Sequence, residues 1–112
     1  MTEIWHNPRC SKSRQTLALL EDQGIAPKIR RYLQEPPSAA ELVAVLAKLG
    51  IPADDLLRKG ENIYRELPLK DATEDQIINA MAAHPILIER PIVIHGNRAR
   101  IGRPPEAVLE IL

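Results

Sequence analysis

Phenylalanine is absent from the chain and only Trp5, Tyr32 and Tyr64 are aromatic. The core must therefore be built from Leu, Ile, Val and Ala, and the stacking platforms that single-stranded nucleic acid requires are missing. Cysteine occurs once, as Cys10. No intrachain disulfide can form, which excludes a secreted disulfide scaffold and means that any redox cycle at this sulfur needs a thiol from outside. No apolar run is long enough to span a bilayer, and Met1-Thr2-Glu3-Ile4-Trp5-His6 has neither the charged nor the apolar region of a secretory signal. A cytoplasmic protein with no membrane partner is expected. There is also no long block of one charge: 15 basic residues balance 15 acidic ones. Neither nucleic acid nor an anionic membrane is favoured as a partner, and any cation cluster must be assembled by the fold.

What is present is enough for one self-sufficient domain, 1–112, expected to be a monomer. Ile4-Trp5 is a short apolar run ending at the turn cluster His6-Asn7-Pro8, which predicts a buried strand entering a loop. A helix is predicted from Ser11 to Gln23, with Leu17, Ala18 and Leu20 as its apolar set and Gly24 as its left-handed stop. Lys28 to Leu33 reads as a second strand between Pro27 and Pro36-Pro37. Ser38-Ala39-Ala40-Glu41 is a capping box that opens a helix carrying Leu42, Val45, Leu46 and Leu49, with Gly50 ending it.

Ile51 to Leu69 is less regular, with a helical turn predicted at Asp54 to Leu57 and a loop through Gly60-Glu61-Asn62. Thr73-Glu74-Asp75-Gln76 is a second capping box, and Ile77, Ile78, Met81 and Ala82 form the apolar face of the helix it opens. Ile92 to Ile94 and Arg98 to Ile101 should pair antiparallel through His95-Gly96-Asn97, where Gly and Asn supply positive φ. A terminal helix is expected from Pro104-Pro105-Glu106, facing the body with Val108, Leu109 and Leu112. The order of elements folds through a right-handed crossover into an α/β protein. Its expected architecture is a thioredoxin-like mixed four-stranded sheet flanked by helices, with a helical insertion at roughly 38–84.

A strand ending near His6 and a helix beginning near Ser11 put Cys10 at a helix N-cap. There the unpaired N–H groups and the helix dipole stabilise a thiolate and also form an anion pocket. Arg9 and Arg14 add positive charge, Ser13 is placed to donate its hydroxyl to the sulfur, and His6 to act electrostatically or to shuttle protons. Faster alkylation at neutral pH than that of an ordinary exposed thiol follows. The competing reading is an inert buried cysteine, which the polar Pro-Arg-Cys-Ser-Lys-Ser context disfavours. His6 reads equally well as a satisfied strand-end histidine. Arg14 reads better as a brace for the loop carbonyls than as a substrate ligand.

His6-Asn7-Pro8-Arg9-Cys10-Ser11-Lys12-Ser13-Arg14 resembles the active-site loop of the glutaredoxin-coupled arsenate reductases. The resemblance runs nearly end to end: Pro36-Pro37-Ser38 with Glu41-Leu42, Leu56-Leu57-Arg58-Lys59, His84 through Val93 and Gly102-Arg103-Pro104 follow in the family's order. In length the chain looks like the short chromosomal members. The resemblance implies that Cys10 attacks arsenate while Arg58, Arg90 and Arg103 hold the oxyanion, a role that suits forked, permanently charged side chains. Taken singly, each arginine would read as a solvated charge or surface ion pair. It also implies a cis peptide at Pro91 opposite the cysteine. The two electrons would come from glutathione, a co-substrate, with glutaredoxin as the partner that resolves the mixed disulfide, and with no bound cofactor or metal.

The single cysteine fits that scheme, since reductases of the phosphatase-like class need further cysteines of their own and a phosphate loop that is missing here. Two other readings follow from the same resemblance. One is a glutathione-dependent thiol oxidoreductase acting on another substrate. The other is a non-enzymatic regulator that binds RNA polymerase, for which Ser13 removes the second thiol of a dithiol switch.

Overall fold

The computed structural model describes residues 1–112, and its contacts divide them into two units, Met1–Glu35 with Arg90–Leu112, and Pro36–Glu89. The first holds a four-stranded mixed sheet. Strand β1 (Thr2–Trp5) runs parallel to β2 (Lys28–Arg30) and antiparallel to β3 (Ile92–His95), which pairs antiparallel with β4 (Arg98–Ile101), in the spatial order β2-β1-β3-β4. This is the order expected of a thioredoxin-like sheet. Ile4 lies opposite Val93 in the ladder, and the next pair, Trp5 with Ile92, points to the other face. All four side chains are buried, the reason β3 reads as an unbroken apolar run rather than an alternating one.

One face is covered by helix α1 (Ser11–Asp22) and the C-terminal segment, where Ile4, Leu20, Val93, Val108 and Ile111 form a single apolar cluster. The buried stripe of α1 is Ser13, Thr16 and Leu20, not the Leu17, Ala18 and Leu20 set expected from hydropathy. The helix turns small polar side chains inward at its N-terminal end, so Ala18 is exposed and Leu17 half-buried. Leu20 anchors the far end at 0% exposure, with Leu17 and Leu19 packed beside it. Leu20→Ala is expected to cost about 3 kcal/mol through lost burial and a residual cavity. The measurement is urea unfolding, with a lower midpoint at unchanged slope.

Three further expectations are corrected in this unit. Strand β2 ends at Arg30 rather than Leu33, because the Arg31 carbonyl accepts from the N–H groups of Gln34 and Glu35 and turns the chain. In the β3–β4 turn only Gly96 has positive φ, at 62°, and Asn97 does not. The C-terminal segment Pro105–Ile111 is a 3-10 helix. At three residues per turn, side chains three apart eclipse one another, so Pro105, Val108 and Ile111 are buried while Leu109 and Leu112 stay 40% and 38% exposed.

The second unit is helical: α2 (Ala39–Leu49), α3 (Ala53–Leu56), α4 (Asn62–Glu66), α5 (Glu74–Ala83) and a 3-10 turn at Pro85–Leu87. Both capping boxes form, Ser38 with Glu41 and Thr73 with Gln76, and Gly50 closes α2 in the left-handed region at φ 70°. Where a loop through Gly60-Glu61-Asn62 was expected, the chain winds on at Asn62 into α4. The Glu74 carboxylate, at the head of α5, accepts the Ala53 N–H of α3 at 3.0 and 3.1 Å from its two oxygens. Leu42, Val45, Leu46, Ala53, Leu56, Leu57, Leu69, Ile77, Ile78, Met81, Leu87 and Ile88 are buried apolar residues of this unit. No helix in the chain is long and apolar enough to cross a membrane.

Candidate active site

The loop between β1 and α1 is tied down before the helix begins. The Cys10 N–H donates to the Asn7 carbonyl at 3.0 Å, and the Arg9 N–H to Asn7 Oδ1, also at 3.0 Å. Asn7 in turn donates its N–H to Ser13 Oγ at 3.0 Å. Arg14 reaches back with Nη1 to the Pro8 carbonyl at 2.9 Å, the bracing role read for it in the sequence. The result fixes Cys10 as the N-cap of α1, with extended backbone (φ −95°, ψ 123°) and no side chain capping the helix. The first N–H groups of α1 accordingly have no acceptor within the helix, and they and the dipole direct positive potential at the N-cap side chain.

The Cys10 residue is 9% exposed. The group that meets its sulfur is a guanidinium: Arg103 Nη2 lies 3.8 Å from Sγ. Arg103 is not a freely moving cation, because its Nε donates to the Arg90 carbonyl at 2.8 Å, and Arg90 precedes a cis peptide at Pro91. A second cis peptide, Arg103–Pro104, follows the arginine itself. Cys10, Arg103 and the Arg90 backbone are thus brought together from α1, the end of β4 and the start of β3.

The remaining candidate residues are placed as follows. Ser13 does not turn its hydroxyl to the sulfur; Oγ lies 2.6 Å from His6 Nδ1 and accepts the Asn7 N–H. His6 and Ser13 are both buried and form one hydrogen-bonded pair beneath the loop. Burial, then the nearby charges of Arg31 and Arg14, hold the His6 imidazole below its ordinary value of 6.5. At neutral pH it is therefore an uncharged partner for Ser13 rather than an added cation.

The same shift has a stability consequence. With its folded-state affinity for protons lowered, His6 binds fewer protons folded than unfolded, so its contribution is complete above about pH 6.5. That contribution is lost as pH falls through the lower folded value. His6→Gln is expected to flatten this acid limb in denaturation midpoints measured from pH 7.5 downward; an unchanged limb would assign it to other groups.

Arg58 belongs to the helical unit. Its Nη1 lies 2.6 Å from Glu61 Oε1 and its Nε 3.7 Å from Glu89 Oε1, while its N–H donates to the Leu87 carbonyl at 2.7 Å. Its neighbours in sequence are also engaged, Lys59 with Asp54 at 2.7 Å and Arg65 with Asn62 and the Gly60 carbonyl. Cavity size does not mark the site. A groove of about 530 Å³ between α2 and α5 is lined by apolar side chains with Glu74 and Asp75 and holds no nucleophile. A smaller cavity of about 240 Å³ lies against the Cys10 loop, lined by His6, Asn7, Pro8, Arg9, Leu33 and Gln34.

Sequence reasoning gave no site role to Asn7, which organises the loop, to Thr16, buried on α1, or to Gly102, immediately before Arg103. Asn7 carried the signal of an Asx turn, a side chain accepting from the backbone two residues on. Gly102 carried the weaker one of a glycine just past a strand.

The chain matches the model of the ArsC family over residues 5–111. It is 52% identical over 114 aligned residues to a protein named arsenate reductase in Haemophilus influenzae, covering 97% of each chain. It is 50% identical over 113 residues to the uncharacterized protein YfgD of Escherichia coli, covering 98% of this chain and 95% of that one. Among solved structures, an arsenate reductase from Vibrio cholerae superposes with a TM-score of 0.96 at 52% identity, over 99% of this chain and 97% of the other.

Proposed function

The chain belongs to the ArsC family, and from that premise we propose that it reduces arsenate to arsenite, with Cys10 as nucleophile, glutathione as co-substrate and a glutaredoxin as partner. The observation that carries this reading is the guanidinium of Arg103 at 3.8 Å from Sγ, anchored by its own bond to the Arg90 carbonyl. A cation fixed there, with the open N–H groups of α1, stabilises negative charge both on the sulfur and on an oxyanion approaching it.

In the proposed cycle the Cys10 thiolate forms an S–As bond to arsenate, and an arsenate oxygen leaves, protonated, as water. A glutathione thiolate then attacks the Cys10 sulfur. As the S–S bond forms, the S–As pair returns to arsenic, which leaves two electrons richer as arsenite. The glutaredoxin thiolate takes up the glutathionyl sulfur, freeing Cys10. Two thiols are oxidised and one arsenic is reduced, so the electrons balance.

Arg103 is assigned to the oxyanion by its place beside the sulfur. Arg90 and Arg58 are assigned with it by the family's pattern, Arg58 sharing its charge with Glu61 and Glu89 until an oxyanion competes for it. His6, Ser13 and Arg14 hold the loop that presents Cys10. The chemistry requires a compartment that keeps glutathione reduced, and the proposal includes a cytoplasmic setting.

The test is arsenate-dependent NADPH oxidation coupled through glutathione, glutaredoxin and glutathione reductase. Turnover that saturates in arsenate and needs all three components is expected. A protein that exchanges glutathione with a mixed disulfide but leaves arsenate unreduced would replace arsenate with another substrate. A protein that does neither yet binds RNA polymerase would place it among the regulators.

A further inference from the structure

We propose that Gly102 is a positioning residue for the site, and that the hydrogen in place of a side chain there sets the distance between Arg103 and the Cys10 sulfur. The inference rests on reading Cys10 as the working nucleophile. A Cβ at position 102 would lie 2.5 Å from Thr16 Oγ1, 3.1 Å from Thr16 Cγ2 and 2.8 Å from Pro91 Cγ. At none of the other glycines, Gly24, Gly50, Gly60 and Gly96, does an added Cβ meet any atom within 4 Å. Gly102 is also not among the glycines with positive φ, so the demand at this position is for space and not for an unusual backbone conformation.

The crowding falls where the site is held together. Thr16 is fully buried on α1, with Oγ1 donating to the Lys12 carbonyl at 2.8 Å, and stands six residues beyond the N-cap Cys10. Pro91 follows Arg90, whose carbonyl anchors Arg103. The Gly102 N–H donates to the Pro91 carbonyl at 2.9 Å. The chain leaving β4 therefore passes through a slot between the Thr16 side chain and the Pro91 ring, and Arg103 is the next residue out. A methyl group in the slot must push that strand end away from α1 or displace Thr16 and Pro91. Each adjustment shifts Arg103 from its 3.8 Å approach to sulfur.

The test reads the sulfur directly, by the rate of Cys10 alkylation with iodoacetamide at pH 7 on the intact protein, beside a thermal melt. Gly102→Ala is expected to slow alkylation about tenfold, the effect of withdrawing a nearby opposite charge from a thiolate. Arg103→Ala should slow it to the same extent, and the double variant no further, because both substitutions remove one contact. Thr16→Ala, which clears two of the three crowded atoms, should restore much of the rate in the Gly102→Ala background. Val108→Ala, a core truncation clear of the site, supplies the control by lowering the melt without slowing alkylation.

Gly102→Ala that melts lower but alkylates at the wild-type rate overturns the inference, as does a Val108→Ala variant slowed equally. The readout contains no arsenate. A protein that fails the coupled assay yet shows this pattern loses the proposed reaction and keeps the positioning role.

Discussion

Cys10→Ser is expected to abolish arsenate-dependent NADPH oxidation while leaving the folded protein essentially as stable as before. The substitution keeps the size of the side chain and the N-cap position, at which serine is itself among the favoured residues. What it removes is the sulfur, whose thiolate is the attacking form and is a far stronger nucleophile than a hydroxyl. A hydroxyl beside Arg103 cannot substitute, because it is a weak nucleophile without a base to take its proton, and His6 turns its Nδ1 to Ser13. With no second cysteine on the chain, no other thiol can take over. Turnover should fall by orders of magnitude, and the melting transition should move by no more than about 1 kcal/mol, as for substitutions that leave packing intact. Residual turnover at the wild-type rate would mean that glutathione reduces arsenate on this protein without a protein thiol.

Arg103→Ala comes next in size. Removing one preorganised donor from a reacting oxyanion typically costs about 100- to 1000-fold in rate, and here the same group also faces the sulfur. The residue is exposed, so the loss should appear in kcat/KM for arsenate and hardly at all in the melt. Arg103→Lys separates two contributions. Lysine keeps the charge but has no Nε to donate to the Arg90 carbonyl, so it should recover only part of the rate. A loss confined to KM would make Arg103 a binding group for the ground state alone, whereas parallel losses in kcat and kcat/KM mean that it acts as bonds change.

Much of this architecture was legible from local chemistry. The two capping boxes, Gly50 and the break at His84-Pro85 are interactions within a few residues, so they form as the pattern says. The position of Cys10 was legible for the same reason, since a strand, a turn-forming triplet and a helix leave it no place other than the N-cap. What escaped depended on partners remote in sequence. The inward face of α1 is Ser13, Thr16 and Leu20 because Ser13 pairs with His6 and Thr16 abuts Gly102. Hydropathy has no term for either contact and therefore selected Leu17 and Ala18.

The C-terminal segment carries helical spacing as plainly as 3-10 spacing, and only its burial against the sheet decides between Leu109 and Ile111. Arg58 illustrates the same limit in reverse. The resemblance gives it an oxyanion to hold, and its immediate surroundings give it Glu61 and Glu89, the second of them 31 residues further along the chain.

The ladder that sets Thr2 opposite His95 also dictates when the molecule can be completed during synthesis. Strand β1 is translated well before its antiparallel neighbour, and loop closure over such a separation makes their pairing slow. Cys10 and Arg103 stand 93 residues apart. Throughout elongation the nascent thiol therefore lacks its guanidinium neighbour, and it acquires that neighbour only when the C-terminal segment docks. The protein is thereby spared a guanidinium-paired cysteine until Arg103 has been made and has docked.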